Sequence, residues 1–292
     1  MDRRKFIFAS GALLLAGCGK GPNRIAVGSK NFTEQLVLGE LLAQAIEEET
    51  HSSVERRFYL AGSYICHQAI LAGRIDMYVE YTGTALAAIL KLPIERDPQK
   101  VYATVRDEYE KRFHLTVLPS LGFNNTFAIA MRGDDARAKN IRTLSELAKY
   151  APQLRMGVGY EFLEREDGFT GLAKTYGLKF AAAPAVMDLG LLYRALESKQ
   201  VDVVAGSNTD GLIAALGLVV LKDDQHYFPP YDAVPIVRPE ALARPGVSTA
   251  LNRLVGKIST DEMRRMNYAV DGEKRDASDV AREFLRDEWK KG

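Results

Sequence analysis

Apolar runs of β type alternate with helix-patterned segments along nearly the whole chain, and that alternation limits the fold more than any other feature. Residues 24–28, 54–60, 75–81, 126–131, 155–158, 201–205, 218–221 and 234–237 read as strands. Residues 31–48, 65–73, 84–90, 97–113, 247–258, 261–268 and 278–290 carry helical spacing. The first helix opens with Asn31 three residues ahead of Glu34, a spacing that resembles a capping box. Strands that alternate with helices predict an α/β fold with mainly parallel sheets. One stretch also echoes another. Residues 69–76 and 195–202 both end a helix and enter a strand, through Ile75-Asp76 or Val201-Asp202. Each then leads to a turn, at Thr82-Gly83 or Thr209-Asp210-Gly211. The spacing of 126 positions, from Asp76 to Asp202, brings Tyr81 into correspondence with Ser207. Two lobes of similar topology produce such an echo.

The 292 residues suffice for two medium domains. With 39 basic against 38 acidic side chains there is no basic excess, so no nucleic-acid partner is expected. At the N-terminus, Arg3, Arg4 and Lys5 precede an apolar run of eleven residues from Phe6 to Ala16. That is shorter than the roughly 20 residues of a membrane-spanning helix and fits a secretory signal. Leu15-Ala16-Gly17-Cys18 resembles the bacterial lipoprotein cleavage box, which makes residues 1–18 a leader and Cys18 a lipidated anchor. The mature protein is then expected on the periplasmic or extracellular face, touching the membrane through that lipid alone. Arg3-Arg4 within the leader also resembles a twin-arginine export signal. Cys66, the other cysteine, has no partner for a disulfide once Cys18 is lipidated, and reads as a small buried apolar residue.

Catalytic patterns are absent. His51, His67, His114 and His226 are widely spaced and form no ligand motif. Cys66 and His67 are neighbours on a predicted helix, where adjacent side chains diverge. Gly28-Ser29-Lys30-Asn31 lacks the glycine spacing of a phosphate loop. Asp76 and Glu80 form a nominal carboxylate pair, with Asp76 read as pinning a turn. No enzyme, metal or cofactor is implied.

In open parallel sheets ligands sit beyond the carboxyl ends of strands. Tyr81, Phe127, Tyr160 and Tyr231 fall at such ends or in the loops after them, with Arg165 close behind the third. Aromatic faces attract a permanently charged ammonium by roughly 0.5–2 kcal/mol per contact, and an arginine pairs with a carboxylate. Six motifs then carry a resemblance. They are Gly28 to Gln35 with Leu38-Gly39-Glu40; Glu80-Tyr81-Thr82-Gly83-Thr84; Gly122 to Thr126; Gly159-Tyr160-Glu161-Phe162; Thr209-Asp210-Gly211; and Phe228-Pro229-Pro230-Tyr231. In this order, from about residue 24 to 287, they resemble the binding proteins of ProX/OpuC-type osmoprotectant importers.

That resemblance implies an α/β, two-lobed periplasmic-binding-protein fold of type II, with two crossovers and a ligand cleft between lobes. Residues 23–128 with 230–292 are expected to form lobe one, and residues 129–229 lobe two. It further implies a monomer that serves an ABC permease and ATPase and binds a small quaternary-ammonium solute such as glycine betaine. Carried over by position, Tyr81 and Tyr231 are cage aromatics, joined by Asn125 and Phe127. Thr84 and Arg165 meet a carboxylate, and Gln35 and Ser63 are rim contacts. Two departures stand out. Phe127 occupies a position where many members have tyrosine. Ser207, followed by Asn208, occupies one where a cage aromatic is usual, leaving Tyr160 as the candidate replacement wall. A cage short of one wall implies weakened affinity for glycine betaine, or a more polar or bulkier betaine-like solute such as ergothioneine. A solute-sensing receptor subunit without transport is the alternative from another class.

Overall fold

The computed structural model describes residues 24–290, so the expected leader and Cys18 lie outside it. Among the described residues ten strands form two sheets. In chain order they are β1 (Ile25–Gly28), β2 (Val54–Arg57), β3 (Met77–Tyr81), β4 (Thr116–Val117), β5 (Phe127–Arg132), β6 (Met156–Val158), β7 (Ala185–Val186), β8 (Val203–Ser207), β9 (Leu218–Val220) and β10 (Ala233–Val237). The first sheet has the order β2-β1-β3-β10-β4 and the second the order β7-β6-β8-β5-β9. The second order repeats the first if β7, β6, β8, β5 and β9 replace β2, β1, β3, β10 and β4 in turn.

Only half of each sheet is parallel, against the expectation of mainly parallel sheets. β2, β1 and β3 run together, as do β7, β6 and β8, while β10 and β5 run against both their neighbours. The cause is the crossover. A strand that arrives directly from the other lobe begins at the shared edge, so it runs away from that edge while the parallel strands run toward it. Thus Ala233, the first residue of β10, pairs with Tyr81, the last of β3, and Phe127, the first of β5, pairs with Ser207, the last of β8. The second lobe's sheet therefore begins at Phe127, two residues ahead of the expected break between 128 and 129.

The central strands are buried along their length, as their unbroken apolar runs require. Helix Thr33–Thr50 covers the first sheet with Val37, Leu38, Leu41, Leu42 and Ile46. Helices Thr260–Asp271 and Ala277–Trp289 pack against it and return the C-terminus to the first lobe. Helix Pro98–Phe113 begins as its sequence dictates. Proline stands at its first position, and the Asp97 carboxylate accepts the N–H groups of Gln99 and Lys100. No helix among the described residues is long and apolar enough to cross a membrane.

One local expectation fails, and another is met in altered form. Helix Thr33–Thr50 has Phe32 at its cap and no side-chain cap, because the Glu34 carboxylate points inward to other donors. The segment 84–90 is a short α turn, Thr82–Thr84, continued by a π turn, Ala85–Ile89. β4 and β7 also went unread, since two residues are too few to display an alternation.

The sequence echo has a structural meaning. Asp76 accepts the backbone N–H of Ala26 in β1 at 2.8 Å and pairs with Arg238, just past β10, at 3.3 Å. Asp202 accepts the backbone N–H of Arg155 at 3.0 Å and pairs with Arg132, at the end of β5, at 2.9 Å. In each lobe one aspartate ties the parallel strands to the antiparallel one. Truncating either leaves a backbone donor without this acceptor and takes from an arginine one of its carboxylate partners. Asp76→Ala and Asp202→Ala are each expected to lower stability by about 2–3 kcal/mol, read from the midpoint of urea unfolding.

Candidate ligand-binding cleft

The parallel strands of both lobes end on a shared cleft of about 850 Å³. Of the residues anticipated from sequence, it is lined by Tyr81, Thr84, Asn125, Phe127, Tyr160, Arg165, Ser207 and Tyr231. Tyr81, at the end of β3, is buried, and its hydroxyl donates to Glu34 Oε1 at 2.6 Å and accepts from Gln35 Nε2 at 3.0 Å. Lys30 Nζ stands 4.6 Å from the centre of the same ring and is paired with the buried Glu80. Phe127 lies edge-on to Tyr231, with ring centres 5.5 Å apart, and 4.7 Å from Phe162.

Arg165 joins the lobes. Its Nε donates to Asp167 Oδ1 at 2.7 Å, its Nη2 donates to Asp167 Oδ2, and its Nη1 donates to Thr84 Oγ1 at 2.9 Å. The guanidinium sits 5.3 Å from the centre of the Phe127 ring and 5.7 Å from that of Tyr231. The Tyr231 hydroxyl completes the group by donating to Asp167 Oδ2 at 2.7 Å. A guanidinium has five N–H donors, so this arrangement engages three and leaves two.

Glu34 lies beside the first crossover, where helix Thr260–Asp271 also reaches it. Besides Tyr81 it accepts from Asn125 Nδ2 and, at 3.0 Å, from Asn267 Nδ2. Burial raises its pKa, and hydrogen bonds from Thr209, Tyr81, Asn267 and Asn125 pull the other way. Asp210 accepts from the Tyr193 hydroxyl and, at 2.8 Å, from the Ser207 N–H. Burial pushes it up to about 6 in spite of those bonds.

Three anticipated residues stand behind the cleft. Gln35 is buried and donates to the Tyr81 hydroxyl. Ser63 is buried, and its backbone N–H donates to Glu161 Oε1 from the other lobe at 2.8 Å. Asn208 receives Arg264 Nε on its carbonyl at 2.8 Å. Ser207 places a hydroxyl, 2.8 Å from Thr209 Oγ1, opposite Phe127. Tyr160 lines the cleft but is 69% exposed, so it stands at the rim. Tyr193 lines the wall beside Ser207, and its hydroxyl lies 2.2 Å from where a Cβ on Gly206 would be.

Lys30, Glu34, Glu161 and Tyr193 were missed. Lys30 is legible as the lysine of the Gly28-Ser29-Lys30-Asn31 turn directly after β1, a turn whose glycine spacing speaks only to a phosphate loop. Glu34 was assigned to a cap. Cys66 is buried as anticipated, and burial pushes its thiol up to about 12.

The description "Substrate binding domain of ABC-type glycine betaine transport system" matches residues 23–287. The chain is 37% identical over 299 residues to the carnitine transport binding protein OpuCC of Listeria monocytogenes, covering 97% of each. It is also 37% identical over 264 residues to the ergothioneine transport permease/ergothioneine binding protein EgtU of Helicobacter pylori, covering 89% of this chain and 47% of that protein. Among solved structures, a glycine betaine/carnitine/choline ABC transporter protein superposes with a TM-score of 0.74 at 36% identity, covering 90% of this chain and 98% of that one.

The raised Asp210 fixes the sign of a pH effect. Between about pH 4 and 6 the folded state holds a proton that the unfolded chain has released, so this group's contribution to stability is lost as pH rises through about 6. Asp210→Asn removes that slope. The stability of the variant relative to wild type is therefore expected to rise by roughly 2–3 kcal/mol from pH 4 to pH 7, measured by denaturant unfolding across that range.

Proposed function

The chain belongs to the family of substrate-binding domains of ABC-type glycine betaine transport systems, and from that kinship we propose how it works for its importer. It is the solute-binding protein of an ABC importer, and its solute is a quaternary-ammonium osmoprotectant such as glycine betaine. The observation that carries the choice of solute is the convergence of Tyr81, Phe127 and Tyr231 on one cleft, with Thr84 and Arg165 beside them. A methylated ammonium donates no hydrogen bond, so it is stabilised by ring faces rather than by acceptors. These rings already accept cations from the protein, Lys30 over Tyr81 and Arg165 over Phe127 and Tyr231. The two remaining N–H donors of Arg165 and the Thr84 hydroxyl are suited to the ligand's carboxylate.

Ser207 removes one ring face, so affinity for glycine betaine is weakened. A second reading, a bulkier betaine such as ergothioneine, is favoured by the space Ser207 leaves and by the kinship with EgtU. The lobes divide at the two crossovers, near residues 126 and 230, and swing about them to enclose solute. The protein acts as a monomer, held at the extracytoplasmic face by lipid on Cys18, and passes solute to an ABC permease and ATPase. Its role is binding without turnover.

Thermal unfolding with betaines, choline, carnitine, ergothioneine, amino acids and sugars tests the reading. A ligand at 100 times its Kd adds about 2.7 kcal/mol of stability. A shift confined to quaternary-ammonium compounds supports the assignment, whereas a shift with uncharged solutes alone, or none at all, overturns it. Ser207→Tyr separates the two solutes. Restoring a ring face is expected to tighten glycine betaine by several-fold, up to about tenfold, and to weaken ergothioneine by filling its space.

A further inference from the structure

Gly62 and Glu161 face each other across the cleft mouth. Helix Ser63–Leu71 of the first lobe has Gly62 at its cap, and neither Gly62 nor any other side chain of its own lobe caps it. The backbone at Gly62 is extended, with φ of −106°, a conformation open to any residue. What demands glycine is space. A Cβ there would lie 1.8 Å from Glu161 Oε1, the oxygen that accepts the Ser63 N–H at 2.8 Å. Glu161 belongs to the short helix Tyr160–Glu164, which follows β6 in the second lobe. The first turn of helix Ser63–Leu71 thus receives its anionic partner, favoured by the exposed N–H groups and the helix dipole, from the opposite lobe. That bond exists only when the lobes are together.

We propose that Glu161 is an interlobe latch, a positioning residue whose carboxylate clasps the N-terminus of helix Ser63–Leu71 and thereby sets the closure equilibrium and the affinity for solute. Affinity follows because solute is retained by the closed arrangement, and the apparent Kd scales inversely with the closed fraction. The latch concerns lobe motion and goes beyond the identity of the solute, although its affinity arm rests on the quaternary-ammonium reading.

The test combines small-angle X-ray scattering, with and without solute, and titration calorimetry with glycine betaine, carnitine and ergothioneine. Glu161→Ala is expected to enlarge the radius of gyration without added solute and to weaken binding by about tenfold, the effect of losing one charge-assisted bond. Glu161→Gln keeps an oxygen for the Ser63 N–H and is expected to recover most of both properties. Gly62→Ala alone drives a methyl group into the carboxylate and should open the lobes. In the Gly62→Ala, Glu161→Ala double variant the two changes should combine less than additively, because the clash is gone. An unchanged radius in Glu161→Ala, or an affinity equal to or above that of wild type, overturns the latch. Strict additivity in the double variant does the same. Wild type that binds none of the three compounds overturns the functional reading, while the scattering comparison still decides the latch.

Discussion

A charge taken out of water must be paired, and the floor of the cleft is organised around two such pairs. Lys30 with Glu80 and Arg165 with Asp167 are all 8% exposed or less. Neither cation is tolerable there without its carboxylate, because an isolated buried charge costs several kcal/mol or more. The pairs also fix the rings. Asp167 holds Arg165 on one side and the Tyr231 hydroxyl on the other, which sets Tyr231 against Phe127. Tyr81 lies between Lys30 on its face and Glu34 at its hydroxyl. The aromatic walls and the charged groups are one network, so any member's geometry is held by the others.

That network sits where two similar sheets meet, and the crossovers explain why. Each lobe has three parallel strands that deliver their ends to the shared edge, and one strand that begins there and runs back. Tyr81 and Ser207 are equivalent ends of equivalent strands, one carrying a ring and the other a hydroxyl. The cleft lining at these two ends is asymmetric because of that difference in side chain on a similar frame. Glu34 binds Asn125 near the first crossover and, through Asn267, the Thr209 carbonyl just past β8 of the second lobe. The junction between the lobes and the floor of the cleft therefore share residues, since Glu34 also accepts from the Tyr81 hydroxyl.

Some of this was legible residue by residue. Tyr81, Thr84, Phe127, Arg165 and Tyr231 were placed from motifs, since strand ends in α/β sheets point their following residues at the ligand site. Asp76 and Asp202 were visible as an echo because a repeated structural task keeps a repeated sequence spacing. Lys30 and Glu34 were misread for a physical reason. A lysine after glycine and an acid in a first helical turn have common local uses, and only their distant partners, Glu80 and the Asn267 amide, reveal the other use. Glu161 stood inside the Gly159-Tyr160-Glu161-Phe162 motif, but nothing local marks its acceptor role, which depends on a helix 98 positions earlier in the chain.

Hydrophobic alternation and turn residues act over a few neighbours, so the sequence alone determined the α/β class, the burial of the central strands and the ends that carry the rings. It also carried the duplication, through Asp76 and Asp202. What only the tertiary structure decided is how the lobes face each other. The antiparallel return strands, the seating of Arg165 on Phe127 and Tyr231, and the clasp of Glu161 on Ser63 arise from groups remote in the chain. Their pairing is set by the demand that buried charges and donors find partners, and that demand is met only once both lobes are assembled.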